Sequence, residues 1–198
     1  MTPCELTPEL LLSAYAQGVF PMDVEGEIRW FLPDPRAILP LESFHASRTL
    51  RQLCRSGRFE LRTDTAFDAV IRACGDRPEG TWISDEIVSA YTALHRIGVA
   101  HSVEAFDGGA LVGGLYGVAL GGAFFGESMF HRRRDASKVA LVSLVERLRA
   151  RGFALLDVQF ITPHLKRFGA VEIACETYLR RLASAVRKDC CWGEAGVL

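Results

Sequence analysis

The chain has 198 residues, 49% of them hydrophobic and 24% charged, which fits a globular protein with a sizeable core and excludes a disordered chain. No apolar run reaches the ~18 residues of a membrane span, and the start, MTPCELTPEL, has neither the basic nor the apolar region of a signal peptide. The net charge of −1 conceals an imbalance: residues 1–130 carry 10 Lys and Arg against 17 Asp and Glu, residues 131–198 carry 13 against 7, and such asymmetry points to contact with nucleic-acid phosphates.

Thr7, Pro8 and Glu9 open a helix with an N-cap, a first-turn proline and a first-turn acid. Leu10, Leu11, Ala14 and Tyr15 give it an apolar face, and Gly18 stops it. GVFPMD follows as an apolar loop fixed by Pro21. Arg29–Leu41 reads as an edge strand, a turn at Pro33 and Pro35, and a second strand. Ser47–Cys54 forms a short basic helix, and Phe59 and Leu61 alternate with polar neighbours in a short strand. A soft boundary near residue 62 divides a small N-terminal α/β domain, residues 1–62, from a larger one, residues 63–198.

Asp64 is placed to cap a helix whose Phe67, Val70, Ile71 and Cys74 recur at helical spacing. Ser84 caps the next, with Asp85 and Glu86 in its first turn and Ile87, Tyr91 and Leu94 as its apolar stripe. Three strands follow at about 100–106, 110–120 and 123–130, joined by Asp107-Gly108-Gly109 and Gly121-Gly122. Gly113, Gly114 and Gly117 inside the middle strand imply bulges or close approach of another backbone. Asp135 or a neighbour caps a helix over 136–150, and Phe153–Phe160 is a buried strand. Thr162 and Pro163 start a helix of one or two turns stopped by Gly169, Val171–Ile173 is a last strand, and 177–188 is a closing helix. The order from residue 64 is that of an acetyltransferase-like α/β fold with a mixed, largely antiparallel sheet. Such folds carry acyl-transfer sites between splayed central strands, yet fold does not dictate function.

The chemistry concentrates in Gly121–Lys138. Glu127 sits among Phe124, Phe125, Met129 and Phe130, where a carboxylate is costly to bury without a partner. Arg132, Arg133 and Arg134 come directly after. An acid in an apolar slot beside a basic rim suits a ligand with an anionic backbone, an apolar group and a cationic group; a strand running into a solvated turn produces the same pattern. Asp157 and Gln159, two apart in an apolar strand, share a face. The acid can orient the amide, whose carbonyl oxygen then accepts a proton or hydrogen bond from an attacking amine, or the two can be buried bracing bonds. Trp82, Tyr91, Phe124 and Phe130 can stack a base, enclose an apolar side chain, or pack the core. Ser137 and Lys138 open a helix and can meet a phosphate or serve only as cap and surface charge.

The histidines His101, His131 and His164 lack metal-ligand spacing. The six cysteines, Cys4, Cys54, Cys74, Cys175, Cys190 and Cys191, form no CxxC pair, so neither a zinc site nor a disulfide framework is indicated, and a reducing cytoplasm fits. A coenzyme-A-dependent transferase would carry a glycine-rich pyrophosphate loop between strand and helix. Here that place holds HRRRDASK, without glycine, which argues against coenzyme A and for a larger polyanion.

Taken together, AYAQGVFPM, WFLPDPRAILPL, FHASRTLR, GTWISDEIVSAYTALHRIGVAHSVEAF, GESMF followed by DASK, and D-x-Q within LLDVQFITPHLKRFGAVEI make a pattern that strongly resembles the bacterial leucyl/phenylalanyl-tRNA–protein transferases. The resemblance implies transfer of Leu or Phe from Leu-tRNA or Phe-tRNA to the N-terminal Arg or Lys of acceptor proteins, which marks them for degradation by the N-end rule. It implies a cytoplasmic monomer without metal, cofactor or membrane. Catalysis falls on Asp157 and Gln159; substrate binding on Glu127, Ser128, Trp82, Tyr91, Phe124 and Phe130; tRNA binding on Arg132, Arg133, Arg134, Lys138, Lys166 and Arg167. Many relatives carry tryptophan after the loop's Phe-Pro, where this chain has Met22, and some carry an aromatic residue at Leu144. A coenzyme-A-dependent N-acyltransferase and a non-catalytic RNA-binding module remain as alternatives.

Overall fold

The computed structural model describes residues 6–197, so Cys4 and the expectations for the first five residues lie outside it. Helix α1 (Pro8–Ala16) starts as expected, with Thr7 Oγ1 accepting from the Leu10 N–H. The expected loop at Phe20–Val24 is instead strand β1, paired antiparallel with β2 (Glu27–Phe31) in a separate two-stranded ribbon. Glu25 and Gly26, at φ 58° and 83°, give the left-handed pair of a tight hairpin, and Asp23 Oδ1 accepts from the Gly26 N–H. A two-stranded ribbon has only edges, so Pro21 is tolerated there.

The next strand, β3 (Arg36–Ile38), belongs to a different sheet from β2. After α2 (Arg48–Arg55) come β4 (Glu60–Thr63), α3 (Phe67–Gly75), α4 (Asp85–Arg96), β5 (Ala100–Asp107), β6 (Ala110–Leu120) and β7 (Ala123–His131). The chain closes with α5 (Ala136–Ala150), β8 (Leu155–Gln159), α6 (Pro163–Lys166), β9 (Val171–Ile173), α7 (Cys175–Ala185) and β10 (Gly196–Val197). The main sheet has eight strands in the order β10-β4-β5-β6-β7-β8-β3-β9. Every pairing in it is antiparallel except β7 with β8. This is the mixed, largely antiparallel α/β arrangement expected. Of its strands, β3 lies ahead of position 62 and β4 runs across it.

Apolar side chains of α1, α3, α4 and α7 cover one face of the sheet, and those of α2 and α5 the other. The glycines of β6 answer to close packing within the protein. A Cβ at Gly113 would stand 2.6 Å from that of Ala136, and one at Gly117 2.2 Å from the Phe125 carbonyl oxygen. Three expected caps differ. Asp64, at φ 59°, turns away from α3 to accept from the Ser102 N–H at 2.8 Å and pair with His101 at 2.9 Å. Glu104 accepts from the Thr65 and Ala66 N–H groups just ahead of α3, at 3.5 and 3.4 Å, and the helix itself has no side-chain cap bond. Ser84 and Asp135 stand at the N-cap positions of α4 and α5 without a side-chain cap bond.

Candidate active site

Strands β7 and β8 pair only over Ala123 with Leu155, Phe124 with Leu156, and Phe125 with Asp157; beyond that they splay. The opening is shaped by two local irregularities. Across β6 and β7, Tyr116 faces Ser128 while Gly117 faces Gly126, which leaves Glu127 as the extra residue of a bulge. On β8, Gln159 takes φ 54°, a left-handed conformation that a residue with a Cβ adopts only when its surroundings hold it there.

What holds it is Asp157, fully buried and accepting four hydrogen bonds. Arg36 Nε and Nη2 reach its two oxygens at 3.0 and 2.7 Å, the Tyr178 hydroxyl donates to Oδ2 at 2.6 Å, and the Gln159 backbone N–H donates to Oδ1 at 2.9 Å. The sequence leaves open whether the acid orients the Gln159 amide or serves as a buried bracing group. In the structure it holds the Gln159 backbone, because a bulge at Val158 and the left-handed turn break the simple alternation. Arg36, also fully buried, donates to the Gly18 carbonyl at 3.0 Å and lies between the Phe20 and Tyr178 rings, 4.7 and 4.6 Å from their centroids.

With its backbone held, Gln159 turns its side chain across the opening, and Nε2 donates to Glu127 Oε1 at 3.1 Å. The Tyr15 hydroxyl donates to the same oxygen at 2.8 Å and is itself hydrogen-bonded to the Tyr91 hydroxyl. Burial, and then the charge of Asp157, outweigh these bonds and Arg36 and push the Glu127 carboxyl up to about 8. Among the described residues, Gln159 Oε1 accepts no hydrogen bond, and Gln159 borders both apolar spaces described next.

Behind the pair lies a cavity of about 300 Å³, walled by Leu115, Leu141, Leu144, Leu156, Val158 and Leu165, with Trp82, Met129 and Phe160 around it and Arg77 and Ser128 at one side. A smaller slot of about 70 Å³, lined by Phe20, Met22, Trp82 and Phe160, reaches the same Glu127 and Gln159. Of the residues singled out from sequence, Glu127, Gln159, Trp82 and Ser128 line the cavity. Asp157 stands behind Gln159. Tyr91 is a core residue that touches the site through Tyr15, Phe130 is buried, and Phe124 stacks on Trp192 at 5.2 Å in the opposite layer; none of these three lines the cavity. Arg134, Lys138 and Arg167 line a separate cleft, whereas Arg132, Arg133 and Lys166 are exposed and outside both. Sequence reasoning missed Tyr15, Arg36 and Tyr178. For Arg36 a signal existed: a cation opening the apolar run Ala37–Leu39 raises the same burial problem that drew attention to Glu127.

The family model described as leucyl/phenylalanyl-tRNA protein transferase matches residues 38–183, and that of the N-terminal domain of the same transferase matches residues 5–34. The chain belongs to this family. Leucyl/phenylalanyl-tRNA–protein transferases from Rubrobacter xylanophilus and Herpetosiphon aurantiacus are 60% identical over 186 residues and 58% identical over 183, spanning 93% and 92% of this chain and 97% and 95% of theirs. One from Paramagnetospirillum magneticum is 58% identical over 188 residues, 91% of this chain and 90% of its own. Membership makes the protein an aminoacyltransferase acting between a tRNA and a protein.

Two consequences can be measured. Arg36→Met leaves the Asp157 carboxylate buried without its counter-ion and should cost about 3–5 kcal/mol in urea unfolding, while Arg36→Met with Asp157→Leu should recover much of that loss. The Glu127 carboxyl keeps its proton to about 8 in the folded chain against an ordinary 4.5. The folded state therefore binds more protons than the unfolded one across that window. The resulting stabilisation is complete below 4.5, is lost as pH rises towards 8, and stays lost above. Wild-type Tm minus that of Glu127→Gln should accordingly fall from pH 5 to pH 8 and then level off.

Proposed function

We propose that the protein moves leucine or phenylalanine from aminoacyl-tRNA to the N-terminal Arg or Lys of acceptor proteins, with Gln159 holding the attacking amine. The observation that carries this reading is the free acceptor of the Gln159 amide at the mouth of an apolar cavity, its donor side fastened to Glu127.

The aminoacyl ester is already activated, so the reaction needs a neutral amine placed against the ester carbonyl more than it needs a strong base. Gln159 Oε1 accepts an N–H of the acceptor's α-amine and aims the nitrogen lone pair at the ester carbon. The C–N bond forms, the bond to the ribose oxygen breaks, and that oxygen leaves with the proton the amine gives up. Asp157 is a positioning residue: its oxygens are occupied by Arg36, Tyr178 and the Gln159 backbone, and its effect on the amine runs through Gln159. Glu127 fixes the amide's orientation and borders both cavity and slot, where it meets the polar groups of the substrates.

The cavity receives the leucine or phenylalanine side chain and rejects charged ones, which would lose their hydration among Leu115, Leu141, Leu144 and Leu156. Methionine is rejected only weakly, since side chains of similar volume differ by ~1–3 kcal/mol in such a pocket. The slot takes the terminal adenine, with Trp82 supplying the aromatic face and Met22 a softer apolar contact. No helix among the described residues is long and apolar enough to cross a membrane, and the reading places the enzyme in the cytoplasm with the N-end rule machinery. The direct test uses labelled Leu-tRNA and two model proteins, one beginning with Arg and one with Ala. Label on the Arg protein alone is expected; label on both would remove the acceptor rule, and label on neither would remove the transferase reading.

A further inference from the structure

The cations that the sequence strings together after β7 and after β8 do not form one face. Arg134, Lys138 and Arg167 converge, from the turn before α5, its first turn and the end of α6, on a cleft of about 430 Å³. His45, Ser47 and Thr49 form the opposite wall, where α2 begins and its helix dipole adds partial positive charge. Asp135 also lines the cleft, already paired with Lys138 at 2.5 Å and with Arg134 at 3.5 Å, so three cations face one engaged acid. Arg132, by contrast, lies over the Phe130 ring, 5.6 Å from its centroid, and neither it nor Arg133 borders the cleft.

His164 joins this cleft to the active site, because it lines both the cleft and the apolar cavity. Its Nε2 is buried and has no partner among the described residues. Burial first, and then the charges of Lys138, His131 and Arg167, hold its pKa below the ordinary 6.5.

We propose that the cleft is a phosphate subsite for the polynucleotide. A phosphodiester near the acceptor end of the aminoacyl-tRNA is clasped by Arg134, Lys138 and Arg167, while the aminoacyl group occupies the cavity on the other side of His164. This rests on the transferase reading and divides the basic residues into those that grip a phosphate and those that are merely solvated.

The test compares two double variants at exposed positions, Arg134→Ala/Arg167→Ala and Arg132→Ala/Arg133→Ala, in binding leucyl-tRNA across a salt series, with melting curves to confirm folding. Each neutralised phosphate contributes about 0.7–0.9 to the slope of log K against log salt. The first pair should flatten that slope by about 0.7–0.9, the share of one phosphate, and the second by clearly less. Equal flattening by both pairs would overturn the subsite in favour of a diffuse basic face. A second arm uses coenzyme A as the probe: wild type protected from melting by coenzyme A, with protection lost in the first pair while tRNA binding holds, would assign the cleft to a small nucleotide and overturn the proposal. Wild type failing to bind tRNA would overturn the transferase reading itself, a result distinct from either of these.

Discussion

The buried ion pair between Arg36 and Asp157 is the interaction on which the rest of the site depends. It spans 121 residues of sequence and gathers five segments: β3 through Arg36 itself, β8 through Asp157, α7 through Tyr178, the end of α1 through the Gly18 carbonyl, and β1 through Phe20. Removing two charges from water costs several kcal/mol each, and only good geometry with every remaining hydrogen-bonding position filled repays it. Here the two oxygens of Asp157 take four donors, and each of the three Arg36 nitrogens makes a hydrogen bond, to Asp157 or to a backbone carbonyl. Such a pair adds little to stability over a well-packed apolar substitute, so its value lies in the conformation it imposes on the end of β8.

That conformation is the left-handed turn at Gln159, and it is useful only because β7 has an irregularity of its own. The bulge that singles out Glu127 and the turn that redirects Gln159 face each other just where the parallel pairing of the two strands ends. Regular strands would have placed these side chains by strict alternation and closed the gap with ladder hydrogen bonds. Instead the backbone opens onto an apolar cavity, and one carboxyl and one amide are hydrogen-bonded across its mouth. The tyrosines behind Glu127 complete the arrangement from α1 and α4, so the polar centre is enclosed by elements far apart in the chain.

Local signals carried much of this into the sequence. Caps, helical spacing and glycine turns placed α1 to α6, the three long antiparallel strands and, with its ends shifted by two or three residues, α7, because those features act within a few residues. Glu127 stood out as an acid among phenylalanines, and Asp157 and Gln159 as two polar groups in an apolar strand. What escaped depends on distant partners. Residues 20–24 read as a loop because the strand's identity comes from the turn at Glu25 and Gly26 and from Trp82, whose carbonyl receives the Asp23 N–H. That β3 lies between β8 and β9 could not be read from its own residues. Of the aromatic residues singled out, Trp82, just ahead of α4, reached the cavity, while Tyr91 of α4 and Phe124 and Phe130 of β7 packed in the core, and composition does not encode that. The basic residues divided in the same way, by the folding of α6 and the start of α2 around the turn before α5.

The central claim is that Gln159, held by Asp157, positions the amine and does little else. The most direct measurement is the single-turnover rate of leucine transfer to an Arg-starting protein by Gln159→Ala, set beside its affinity for leucyl-tRNA. The account predicts a rate lower by roughly 100-fold or more, in keeping with the loss of a positioning contact, with affinity within about twofold of wild type. A rate and an affinity that fall together, or a rate left unchanged, would contradict it.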